Sequence, residues 1–64
     1  MINEMPQLNS SSRYTTTEAA NILGIHRSSL WRATKEGLIA CSERKSGKRF
    51  YYGREIIRYW KENL

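Results

Sequence analysis

The segment Thr15–Leu38, TTTEAANILGIHRSSLWRATKEGL, restricts the fold more than any other part of the chain. Ala20, Gly24 and Leu30 fall at i, i+4 and i+10. An alanine at the first position lets a second helix cross closely, and a glycine at the next ends the first helix with positive φ. The leucine then anchors the second helix in the same small core. This spacing predicts a helix-turn-helix, an arrangement that presents one helix to the DNA major groove.

The limits of both helices are marked. Thr15 and Glu18 have the spacing of a capping box, with Tyr14 as the preceding apolar residue. Ala19, Ala20, Ile22 and Leu23 supply an apolar face, and Gly24 closes the helix. The second helix is expected over Arg27–Glu36 with Gly37 as its stop, and Leu30, Ala33 and partly Thr34 turn inward. After Leu38 the period changes. Residues 39–43 and 49–52 read as two short strands around the polar tip Arg44–Lys48, with Gly47 where the turn needs positive φ. Phe50 and Tyr52 share one strand face and are expected to pack on the helices. From about Arg54 a last helix places Ile56, Tyr59 and Trp60 on one side and closes the core. The expected fold is mainly α with a small β-hairpin, in the order helix, helix, two-stranded wing, helix: a winged helix-turn-helix.

Sixty-four residues make one domain, near the lower limit for a core without metals or disulfides. Cys41 is the only cysteine and His26 the only histidine, which rules out an intramolecular disulfide and argues against a structural zinc site. Cys41 reads as a half-buried strand residue in a reducing cytoplasm. No apolar run is long enough to span a bilayer, and MINEMPQLNSSS lacks the order of a signal peptide. Residues 1–12 read as a flexible leader, with residues 13–64 forming the domain. The leader carries no Lys or Arg, so it does not resemble a minor-groove arm.

Eleven Lys and Arg against six Asp and Glu give a formal charge of +5. Every basic residue lies at or after Arg13, so the excess belongs to the folded part. Charge alone leaves nucleic acid, anionic lipid and acidic proteins open as partners. The choice rests on which elements carry it.

With Leu30 and Ala33 inward, Arg27, Ser28, Trp31, Arg32 and Lys35 form one outward stripe of the second helix. The stripe holds no acid, and it follows a helix-turn-helix spacing. Contact with the DNA major groove is therefore favoured over a merely solvated face. Trp31 either meets the duplex or folds back onto the core edge. The tip Arg44-Lys45-Ser46-Gly47-Lys48-Arg49 packs four cations into six residues, and is read as a ribbon for the DNA backbone or minor groove over a solubilising hairpin end. Thr16, Thr17 and His26 are candidate phosphate contacts, although an indifferent helix cap is the preferred reading of His26.

These residues resemble the MerR-like winged helix-turn-helix superfamily, in particular its stand-alone excisionase-like branch. The resemblance is carried by Tyr14-Thr15, Glu18-Ala19-Ala20, Leu23-Gly24-Ile25, Leu30, Lys35-Glu36-Gly37-Leu38-Ile39, Gly47, Arg49 and the aromatic strand leading to Glu55-Ile56. It implies a second helix in the major groove, with base-reading roles for Arg27, Ser28, Trp31 and Arg32. It also implies a wing along an adjacent minor groove, with backbone roles for Arg44, Lys45, Lys48 and Arg49. His26 replaces the usual Ser or Thr cap, and Tyr51 stands where a basic residue is common. The dimerising helix and effector domain of full-length relatives are not expected.

The resulting expectation is a non-enzymatic, cytoplasmic, sequence-specific double-stranded DNA-binding protein. The favoured role is an accessory factor of a mobile element, self-associating on repeated sites and bending DNA for a recombinase (integrase). A small transcription regulator of the same fold is the alternative, and a DNA packaging or segregation module follows it. No catalytic constellation, cofactor motif or metal-ligand cluster is visible, and the amphipathic helices of membrane-surface proteins are missing.

Overall fold

The computed structural model describes residues 4–63. Its elements are β1 (Arg13–Thr15), α1 (Thr16–Leu23), α2 (Arg27–Lys35), β2 (Ser42–Glu43), β3 (Arg49–Tyr52) and α3 (Gly53–Glu62). Three helices and a small antiparallel sheet form a winged helix-turn-helix.

Local chemistry sets the ends of the first two helices. The Thr15 hydroxyl accepts from the Glu18 N–H and the Glu18 carboxylate accepts from the Thr15 N–H, both at 3.2 Å. The capping box expected at this position is formed. At the far end Gly24 adopts φ 71°, and the Ile25 N–H reaches the Ala20 carbonyl at 3.0 Å. Gly37 closes α2 in the same manner with φ 79°, the Leu38 N–H donating to Ala33 at 2.9 Å. Both closures satisfy carbonyls that a helix end leaves unpaired.

The core comprises Ala19, Ala20 and Leu23 of α1, Leu30 and Ala33 of α2, then Ile39, Tyr51, Ile56 and Trp60. Leu23, Leu30 and Ile56 are fully buried, each stabilising the fold by about 1.5–3 kcal/mol. Thr34 is half-buried, as its inward placement requires.

The sheet departs from the expected two-stranded wing. Its order is β1-β3-β2, so β3 is central. Strand β1 pairs with β3 through Arg13↔Tyr52, Tyr14↔Tyr51 and Thr15↔Phe50. Three residues give too little alternation to be read as a strand. Conversely, the strand expected over 39–43 is reduced to Ser42–Glu43, paired with Phe50 and Arg49. Ile39 is buried all the same, as an irregular residue following the closure of α2.

The residue by which β3 joins the core cluster is Tyr51 and not the expected Phe50 and Tyr52, although Phe50 is buried. Tyr51, with no exposure, is the largest fully buried side chain. Phe50 and Tyr52 lie on the outer face as a T-shaped pair with centroids 5.4 Å apart. The guanidiniums of Arg13 and Arg44 sit over the Phe50 ring at 5.4 and 5.7 Å and help to cover it. Tyr51 tolerates the interior because its hydroxyl finds Thr34.

Helix α3 starts at Gly53, with no side-chain cap from Tyr52. Its first donors are met from residues 9–12. Gly53 N–H donates to the Ser12 carbonyl at 2.9 Å and Arg54 N–H to the Ser10 carbonyl at 3.0 Å. A Cβ at Gly53 would overlap the Asn9 carbonyl oxygen. Asn9 N–H in turn donates to the Tyr14 hydroxyl at 3.0 Å. Pro6 is buried and Leu8 packs on the core, while Met5 is exposed.

Candidate nucleic-acid interface

Helix α2 begins at His26, whose ring is a working cap. Its Nδ1 accepts from the Ser28 N–H at 3.2 Å and lies 2.7 Å from the Ser28 hydroxyl. An unprotonated Nδ1 therefore replaces the oxygen that Ser, Thr or Asp would offer. Leu30 and Ala33 anchor the inner side, and Arg27, Ser28, Arg32 and Lys35 are all exposed on the outer side. Among the described residues none of Arg27, Arg32 and Lys35 has a carboxylate within salt-bridge distance. Glu36 is exposed at the C-terminal cap of α2.

Trp31 is half-buried and outside the hydrophobic core. The guanidinium of Arg49 lies over its ring, 4.1 Å from the centroid. Arg49 also faces Glu43 across the strand pair at 3.8 Å. The indole thus joins the outer part of α2 to the base of the wing, a partner that neither sequence alternative for Trp31 contained. Thr16, Arg27, Ser28, Trp31 and Arg49 line an open groove of about 280 Å³.

The wing tip is a four-residue turn closed by the Gly47 N–H on the Arg44 carbonyl at 2.8 Å. Gly47 adopts φ 87°, and the Arg44 N–H returns to Lys48 at 2.8 Å. Ser46 and the cations Arg44, Lys45, Lys48 and Arg49 are exposed around it. A glycine in this αL position lets the strands re-pair after the turn.

Residues 13–64 match a family model described as a helix-turn-helix domain. The chain belongs to that family. No curated protein and no solved structure gives a significant match. As a helix-turn-helix domain its partner is DNA, and α2 is the second helix of the motif, which in this class enters the major groove.

The remaining candidates spread around the domain. Thr16 is half-buried in the groove beside Arg27, whereas Thr17 is exposed one residue further along α1. Tyr51 is a core side chain. Burial pushes its phenol above the ordinary value. Arg54 lies over the Tyr52 ring at 4.3 Å. Arg58 pairs with Glu62 at 2.9 Å and Glu55 at 3.7 Å, and both hold its guanidinium in the charged form. Among the described residues no His, Cys, Asp and Glu group could hold a metal, and no helix is long and apolar enough to cross a membrane.

The sequence reading missed the aromatic-arginine outer face of the sheet, formed by Phe50, Tyr52, Arg13, Arg44 and Arg54. The available signal was Tyr51 itself, an aromatic with a polar end that suits a buried strand position facing a threonine.

Proposed function

We infer that the protein is a non-enzymatic, sequence-specific binder of double-stranded DNA, acting in the cytoplasm as an excisionase-like accessory factor. Its α2 face, Arg27, Ser28, Trp31, Arg32 and Lys35, enters the major groove. Arg44, Lys45, Ser46, Lys48 and Arg49 follow the backbone into the adjacent minor groove, and Thr16, Thr17 and His26 flank the nearest phosphates. The observation that carries this reading is the Arg49–Trp31 contact, which makes the cationic face of α2 and the cationic wing one continuous surface.

One helix and one wing cover few base pairs, so selective binding needs several copies on adjacent repeats, a recombinase beside them, or both. Wings laid in successive minor grooves favour a bent duplex. Sedimentation of the free protein and footprinting on its natural site test this. A free monomer that protects an array of repeats, with bending in circular-permutation gels, is expected. A stable free dimer protecting one isolated palindrome would replace the array with an ordinary repressor.

A further inference from the structure

The groove between α1, α2 and β3 has a chemistry distinct from the rest of the α2 face. Its five lining residues are two arginines, two hydroxyl residues and one indole, with no carboxylate among them. Its volume, about 280 Å³, is below the roughly 300–1,000 Å³ of ordinary small-molecule pockets. Such a site suits one unit of a polymer held elsewhere along its length. The Arg49 guanidinium is held over the Trp31 ring, 4.1 Å from its centroid, with its Nε 3.8 Å from Glu43, which leaves its terminal N–H groups to meet an anion. Arg27 supplies a second guanidinium with no carboxylate in salt-bridge reach among the described residues.

We propose that this groove seats a single sugar-phosphate unit of the duplex backbone. The phosphodiester lies between Arg27 and Arg49, with Ser28 and Thr16 as hydroxyl donors, and the exposed edge of Trp31 meets the deoxyribose. Arg27, Ser28 and Trp31 then fix the register of α2 on the backbone, and base reading falls to Arg32 and Lys35. This rests on the duplex-DNA reading above, and it changes the roles of three residues within it.

The test follows tryptophan emission while duplex DNA of arbitrary sequence is added to wild type and to Trp31→Phe. Trp31 lies outside the core, so its replacement leaves Trp60 and the fold in place. An emission change present in wild type and missing in Trp31→Phe is expected. Arg27→Ala and Arg49→Ala should each lower affinity about tenfold for every sequence, the usual loss for a charged hydrogen bond. Arg49→Lys should fall almost as far, because it keeps the charge and loses the forked guanidinium over the indole. Duplex binding without any Trp31 response, or full rescue by Arg49→Lys, would overturn the groove while leaving DNA binding intact. An equal response to inorganic phosphate at matched ionic strength would overturn the duplex as occupant. Absence of any duplex binding would overturn both readings.

Discussion

The Tyr51 hydroxyl lies 2.6 Å from the Thr34 hydroxyl, joining the centre of β3 to the last turn of α2. Thr34 already donates to the Leu30 carbonyl at 2.9 Å, so Tyr51 is the donor between them. Tyr51→Phe removes that donor and should cost about 1 kcal/mol in urea unfolding. The raised phenol also gives a pH dependence. Above its ordinary value of 10.0 the unfolded chain loses the proton first. The folded state then binds more protons, and stability falls as pH rises. Below pH 10 the stabilisation is fully present. Tyr51→Phe should therefore show a shallower alkaline loss than wild type, and identical slopes would dismiss the phenol as its source.

Binding should weaken steeply with salt. With about five phosphates neutralised by α2 and the wing, log affinity against log salt should slope near −4 to −5. A flat titration by fluorescence anisotropy would remove backbone contacts from the account.

Arg32 and the wing tip should differ in kind. Arg32→Ala should cost discrimination between sites by roughly 1–3 kcal/mol. Lys45→Ala or Lys48→Ala should weaken all sequences alike and reduce the salt slope by about one each. Competition with random-sequence libraries measures this, and a changed base preference in the Lys variants alone would reverse the assignment.

His26→Ala should destabilise α2 by about 1 kcal/mol through loss of its cap, and His26→Ser should recover most of it. Thermal unfolding of the three proteins is the check. A His26→Ala variant as stable as wild type would mean that the Nδ1 contact to Ser28 contributes nothing.

Gly53→Ala should cost about 1–3 kcal/mol, because the new methyl overlaps the Asn9 carbonyl and neither backbone can yield freely. Deleting residues 1–12 should abolish that penalty, since the obstruction leaves with them. An equal penalty in both backgrounds would place the strain elsewhere.

The helices and turns were legible because each ending is local chemistry. Thr15 with Glu18, Gly24, Gly37 and Gly47 all do what their residue types suggest within a few positions. The outward set on α2 followed once Leu30 and Ala33 were assigned inward. Strand faces were not legible in the same way. A four-residue strand offers two faces of equal period, and Phe50 looked more apolar than Tyr51. The contacts of Tyr51 with Thr34, and of Phe50 with Arg13 and Arg44, span distances in sequence that no local pattern encodes. The Arg49–Trp31 stack depended on the same choice.

Thr15 ends β1 and also caps α1, so the first helix is fastened to the sheet by a single residue. Tyr51 fastens the second helix to the same sheet, and Arg49 does so again from the wing. Both helices are thus fastened to one sheet, and α2 and the wing are tied to each other through β3. The two elements then stand like the jaws of a caliper. On the proposed binding mode, a duplex gripped by both jaws brings its grooves to that setting, and sequences that deform cheaply meet it at lower cost.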